Sequence, residues 1–412
     1  MTHPVEHTRP NPFAALMGFP MVVESHFQPI FGLAHRHTVG FEALLRVEQQ
    51  SAHWGSTRQF LEHAQLENDS SAVDCACLDL HLAHFGQGGG SGSWLFLNVL
   101  PESFVDRALV HHLLPDMLSR YGLMADNLVL EVERLELDML DAAHEAAMAW
   151  RDLGCLLAVS QFGRTNANLD SIWRLRPDIV KLDQSLVARA AQDGRALNML
   201  RGLVSLLHDA GSLVVIEGIE SHAQAMVAMQ ADCDFVQGFY FGMPQADIRV
   251  IGERSEVFDR LWNDYRQLDH DTSVAQREKL APYIEAFRHI PTRMMMDGQT
   301  LAVAAGSFLD LPAAALCFVL DSEGRQIGEG LPGHSRRVGT TRLHRLQETA
   351  GASWIRRPYF RDAMHALGEL QVSRPYLSAS TGRACVTLSI AFESGGQCVV
   401  LCGDLDWEDA VG

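Results

Sequence analysis

The chain has 412 residues and a net charge of −18, with 47% hydrophobic and 20% charged residues. That length suits two or three domains, and that hydrophobic content builds a real core and excludes a disordered chain. The acidic balance opposes nonspecific duplex binding, so a nucleotide ligand must be held by a local cluster of Arg and Lys.

In chain order, residues 1–19 read as an N-terminal extension that lacks the basic and apolar regions of a secretory signal. No apolar run approaches the length needed to span a bilayer. A cytoplasmic protein without a membrane segment is therefore expected. From 20 to 250, short apolar runs alternate with longer stretches of helical periodicity. The strands predicted are Ser25–Ile30, Val39–Leu45, Trp94–Val99, Leu128–Val132, Leu156–Gln161, Ile179–Asp183, Leu213–Ile219 and Phe235–Phe241. Helical spacing falls on Val73, Cys77, Leu80 and His84 within Phe60–Phe85, and on Leu197, Leu200 and Leu203 within Gly194–Ala210. Strands alternating with helices imply a parallel sheet, and eight of them in about 230 residues is the content of a (β/α)8 barrel. A doubly wound open sheet is the alternative. The run Gly86–Gly92 lacks the Lys-Ser/Thr ending of a phosphate loop and reads as a flexible connection.

Residues 251–299 read as a helical linker, with Phe258, Leu261, Tyr265 and Leu268 on one side and Tyr283, Phe287 and Ile290 later. Such a segment serves as a stalk or dimer contact, or packs on its own domain. Residues 300–412 change to α+β order. Leu316–Leu320 and Arg325–Gly328 flank a turn at Asp321–Gly324, a helix lies around Tyr359–Leu370, and Cys385–Phe392 pairs with Gln397–Cys402 across Gly395-Gly396. The fold class is therefore α/β, a TIM-like barrel followed by a smaller α+β domain. The eight cysteines show no zinc-site spacing, and most lie in apolar runs as small core hydrophobes.

In such a barrel, chemistry sits where strands run into their following loops. The polar residues near the strand ends are Gln28, Glu42, Asn98, Glu131, Ser160 with Gln161, Lys181 with Asp183, Glu217 and Gln237. One strand ending in a carboxylate is simply entering solvent; nearly all of them doing so at one register is a site. Glu and Asn around a central Lys suit hard-metal coordination and phosphate chemistry, with Gln28 and Arg46 placed to grip a nucleotide edge or phosphate.

Over residues 20–250 these blocks resemble the EAL-domain phosphodiesterases of bacterial cyclic-di-GMP signalling. The matching pieces are Phe27–Ile30, Glu42-Ala-Leu-Leu-Arg46, Leu97-Asn-Val99, Leu130-Glu-Val132, Lys181-Leu-Asp183, Glu217-Gly-Ile-Glu220 and Gln237–Pro244. The resemblance implies a TIM-like barrel with an irregular first strand, hydrolysing cyclic-di-GMP with two Mg²⁺ or Mn²⁺ ions. It assigns Glu42, Asn98 and Glu131 as metal ligands, and Glu42, Lys181 and Glu217 as the catalytic centre. Gln28, Leu44, Arg46, Asp183 and Gln237 become the nucleotide-contacting set.

The chain departs from the family pattern where that pattern places two aspartates on the metals. Here stand Ser160-Gln161-Phe162-Gly163, followed by Arg164-Thr165 in place of Thr-Gly. The family's Glu-x-Thr-Glu is Glu131-Val-Glu-Arg134. Two divalent ions close together need shared anionic ligands, which a hydroxyl and an amide do not supply. The expectation is a bacterial cyclic-di-GMP receptor with little or no hydrolysis and no required cofactor. The alternatives are a Mg²⁺- or Mn²⁺-dependent phosphodiesterase with an atypical ligand such as Glu133, and a nucleotide-independent protein-interaction module. A homodimer, possible protein partners and no DNA complete the expected partners.

Residues 300–412 resemble the Cache/PAS-like sensor domains attached to some EAL proteins. The resemblance rests on Phe318–Gly324, Arg357–Phe360, Ser373–Tyr376, Val386–Ser389 and Gly403-Asp404. It implies a central antiparallel sheet that holds a small ligand or mediates dimers, with Trp354, Tyr359, Tyr376 and Asp404 lining the pocket.

Overall fold

Eight apolar runs that alternate with helical segments close into a single barrel, the strands neighbouring one another in chain order. The structure, a computed structural model, describes residues 23–47, 70–90, 92–133, 137–164, 169–252, 254–335, 349–378 and 382–411. Arg134, Thr165, the extension 1–19 and the start of the helix expected at Phe60–Phe85 lie outside them. The strands are β1 Val23–Gly32, β2 Thr38–Val47, β3 Trp94–Val99, β4 Leu128–Val132, β5 Leu156–Phe162, β6 Ile179–Leu182, β7 Leu213–Ile216 and β8 Phe235–Gln237. The closed ring settles the choice against an open doubly wound sheet.

Six neighbouring pairs, from β2–β3 to β7–β8, are parallel, as alternating strands and helices require. The exception is β1, antiparallel to both β2 and β8. The link between β1 and β2 is too short for a crossover helix, so these strands turn back on each other.

Two apolar layers follow from the pleat. Leu95, Leu97, Leu128, Leu130, Leu157, Val180, Val214 and Val236 face outward into a core shared with helix residues such as Leu82, Phe85 and Trp150. On the inner face, Ile30, Phe96, Val129, Ala158, Ile179, Val215 and Phe235 form a separate cluster that plugs the barrel. The interior is packed apolar matter rather than a pore, which leaves polar groups only the barrel mouth.

Three strands end earlier than predicted, each for a local reason. Asp183 leaves β6 to cap the next helix, its carboxylate accepting from the Ser185 N–H at 2.9 Å. Past β7, Gly218 turns the chain at φ +68°. After β8, Gly238 passes so close to the neighbouring loop that a Cβ there would lie 2.1 Å from the Ile219 carbonyl oxygen. The helix predicted to reach Leu370 stops at His365, the chain passing Gly368 in the left-handed region on its way to the next strand.

The chain divides into two units, Met1–Arg266 and Gln267–Gly412. Helix Ser255–Arg288 passes from one to the other. Phe258 and Leu261 belong to the barrel's outer core, and Tyr283 and Phe287 to the core of the second unit. That second unit is built on an antiparallel sheet ordered β10-β9-β14-β13-β11, with β12 also paired to β13. Its strands are β9 Ala314–Leu320, β10 Gln326–Pro332, β11 Gln371–Val372, β12 Tyr376–Leu377, β13 Ala384–Ser394 and β14 Gln397–Asp406. Both predicted hairpins are present as β9–β10 and β13–β14. Among the described residues no helix is long and apolar enough to cross a membrane.

Candidate functional site

The polar groups assemble because all but Glu42 stand two residues along the chain from a residue of the barrel's apolar plug. Phe96 is followed by Asn98, Val129 by Glu131, Ala158 by Ser160, Ile179 by Lys181, Val215 by Glu217 and Phe235 by Gln237. In β1, which runs the other way, Gln28 stands two residues before Ile30 and so reaches the same end. Glu42 completes the ring from β2, opposite Gln28. A period of two turns the register of the plug into the register of the site.

At its centre the Lys181 ammonium is completely buried, 2.8 Å from Glu42, 2.8 Å from Glu131 and 3.5 Å from Glu217. Glu42 is the most supported carboxylate. It also accepts from Asn98 Nδ2 at 2.9 Å and from Gln237 Nε2 at 2.7 Å. Burial pushes the Glu42 carboxyl up, but the Lys181 charge and the donors from Lys181, Asn98 and Gln237 outweigh it and hold the group below its usual range. Burial dominates at the other two. Glu131 is pushed up to about 8 and Glu217 to about 7, the Lys181 charge offsetting burial only in part and the neighbouring carboxylates adding repulsion. For Lys181 the three carboxylates overcome burial and keep the ammonium charged.

Strand β5 breaks the alternation. Val159 and Phe162 both face the outer core, and the β5–β6 register shifts between them. The extra residue is Gln161, at φ +51°, a bulge that brings Ser160 and Gln161 in succession to the barrel mouth. A left-handed backbone is costly for glutamine. The Gln161 amide donates to Glu133 Oε1, and its carbonyl oxygen accepts from Arg164 Nη1 at 2.8 Å. Ser160 is buried, and among the described residues its Oγ and the Gln237 Oε1 have no hydrogen-bond partner.

Above this layer opens a cavity of about 310 Å³. Gln28, Glu42, Leu44, Asp183, Glu217 and Gln237 line it. Arg46 shares the face of Glu42 and Leu44 on β2 but is exposed further out and is not part of the lining. Asn98 is exposed at the rim, reaching the site through Glu42. Gln161, Arg164, Gln184, Glu220 and Phe239 also line the cavity. Sequence reading assigned no role to Gln184, Glu220 or Phe239, although the last two stand in the loops after β7 and β8, where barrel sites are built. Three carboxylates converge on Lys181 rather than on an open point. Among the described residues no group of three or more His, Cys, Asp or Glu is disposed to hold a metal ion.

In the second unit Trp354, Tyr359, Tyr376 and Asp404 line one small cavity, joined by Arg357 and Gln326. Thr387 donates to Asp404 at 2.7 Å and lies 2.7 Å from the Tyr376 hydroxyl. Trp354 donates to Gln326 at 3.0 Å, and Arg357 lies over the Trp354 and Tyr376 rings.

Known proteins resemble this chain in sequence and fold. The chain is 26% identical over 228 residues to the cyclic di-GMP phosphodiesterase NbdA of Pseudomonas aeruginosa, covering 54% of this chain and 29% of that protein. It spans about 30% of the length of the curated relatives it first matches. The crystal structure of Bacillus subtilis YkuI, which has an EAL domain and was solved with c-di-GMP and calcium, covers 97% of this chain and 100% of its own at TM-score 0.75. At 21% identity that likeness is one of fold. Klebsiella pneumoniae BlrP1, in a manganese/c-di-GMP complex, is 27% identical, covering 54% of this chain and 56% of its own at TM-score 0.50. The EAL domain family matches residues 22–244, more than half of the 412. With its barrel closed, its signature on β2 and its polar ring in register, the chain belongs to the EAL domain family.

Proposed function

We propose that the barrel is a receptor that binds cyclic-di-GMP without a metal pair and does not turn it over. The observation that carries this reading is the uncharged pair Ser160 and Gln161 at the β5 bulge, the two successive positions aimed at the barrel mouth. A two-metal centre does not fit this donor set. Glu42, Glu131 and Glu217 around Lys181 leave at most two negative charges, half of what two divalent ions carry. The carboxylate oxygens nearest the centre are already engaged by Lys181, Asn98 and Gln237. Cyclic-di-GMP is the ligand of choice because the chain retains Gln28, Leu44, Asp183 and Gln237 around one cavity, and because relatives of its family carry that nucleotide in their names and complexes.

For residues 300–412 we propose a sensor or dimerisation role; the cavity lined by Trp354, Tyr359, Tyr376 and Asp404 is about 20 Å³, room for about one water, so a larger ligand would have to open it. Cyclic-di-GMP binding measured by calorimetry in Mg²⁺ and again in EDTA tests the main proposal. The expected dissociation constants agree within about twofold, a difference under about 0.5 kcal/mol. Binding abolished by EDTA contradicts metal-free recognition, and no binding in either buffer removes the receptor reading.

A further inference from the structure

Among the described residues that line the barrel cavity, one carries a positive charge, Arg164. The lining also holds Glu42, Asp183, Glu217 and Glu220. Lys181, the other cation nearby, is fully buried beneath Glu42, Glu131 and Glu217 and has no face left for a ligand. A phosphodiester entering this cavity meets carboxylates on most sides. Among the described lining residues, Arg164 is the group that can answer its charge.

The local structure prepares that role. Glu133 only accepts hydrogen bonds and Arg164 only donates them, so Gln161 between them has one consistent orientation, amide toward Glu133 and carbonyl toward Arg164. An amide holds the guanidinium without neutralising it. Among the described residues no carboxylate forms an ion pair with Arg164, and its remaining N–H donors stay available for the forked geometry that phosphate accepts. The left-handed backbone of Gln161 is a local cost retained at this one point of the barrel mouth.

We infer that Arg164, held by the Gln161 carbonyl, is a phosphate-binding cation of this cavity and contributes positive charge toward a cyclic dinucleotide's phosphodiester, in addition to whatever Arg46 supplies from further out on β2. This inference rests on the receptor reading above. Gln161 is then a positioning residue, and Arg164 a binding residue.

Calorimetric titration of cyclic-di-GMP into the full-length chain in EDTA, at low and high NaCl, tests it. R164A is expected to weaken binding about 10- to 100-fold, in line with a lost charge-assisted hydrogen-bonding group. It is also expected to flatten the salt dependence of the dissociation constant. R164K is expected to recover part of the affinity by restoring the charge without the fork. R107A, which removes an exposed arginine paired with Glu145, is expected to leave binding unchanged, and thermal melts confirm that each variant is folded. Wild type that binds while folded R164A binds equally well overturns the role of Arg164 and leaves the receptor reading standing. Wild type that does not bind overturns both.

Discussion

Replacing Ser160 and Gln161 together by aspartate is expected to create Mn²⁺-dependent hydrolysis of cyclic-di-GMP, and the proposed receptor role expects none from the wild type. The bulge in β5 already aims both side chains at the barrel mouth, so the change alters charge without re-aiming the backbone. At position 161 aspartate also tolerates the left-handed φ of +51° better than glutamine does. At position 160 the effect on stability has the opposite sign. Ser160 is buried, and a carboxylate placed there adds to the three that already share the single Lys181, so it is costly unless a further cation joins it. The double variant should therefore melt below wild type in EDTA and recover in Mn²⁺, since a ligand bound only by the folded state raises stability. Wild type should show no comparable rise. Product analysis by chromatography and paired melts check both halves. A double variant that neither gains turnover nor responds to Mn²⁺ would mean that more than these two side chains separates the site from catalysis.

Removing the hub should be the most damaging single change in the barrel. K181M is expected to cost about 3–5 kcal/mol, the usual penalty for deleting one partner of a buried ionic cluster. The cost should depend on pH in a definite direction. In wild type the Glu42 carboxyl sits below its ordinary range, so its ionised form favours the fold once pH exceeds the unfolded value. Without Lys181 all three carboxylates face burial and each other unopposed, and their folded pKa values rise above the unfolded ones. The folded variant then holds protons that the unfolded chain releases, and its stability falls as pH rises. Glu131 near about 8 and Glu217 near about 7 show that burial already outweighs the lysine at two of the three. Urea denaturation at pH 5.5 and pH 8 should therefore give a larger deficit at pH 8. A deficit that is equal at both, or larger in acid, would mean that Lys181 acts through packing rather than charge.

Much of this site is legible before any coordinates, because a strand's pleat has a period of two. Once Val129 is placed in the plug, Glu131 must face the mouth, and the same step carries Ile179 to Lys181 and Val215 to Glu217. Other features depend on partners distant in the chain. Nothing near residue 181 announces that its ammonium will meet Glu42, 139 positions away. The antiparallel seating of β1 arises from one short connection, which a repeating strand–helix rhythm disguises. Position 161 is the instructive case. Strict alternation turns its side chain away from the site, and only a bulge and a positive φ bring it back beside Ser160. Arg164 follows from the same irregularity, since the turn at Gly163, φ +94°, returns the chain toward the cavity. Arg46 shows the converse. Sharing a strand face with Glu42 does not bring it to the cavity wall, because two further steps along β2 carry it past the mouth.

Anomalous diffraction at the manganese edge, from wild-type crystals grown with Mn²⁺ and cyclic-di-GMP, addresses the proposed chemistry most directly. Nucleotide density in the barrel mouth without a pair of manganese peaks is the expected result. Two peaks bridged between Glu42 and β5 would contradict it, and the chain would then be a phosphodiesterase working through ligands other than an acidic pair.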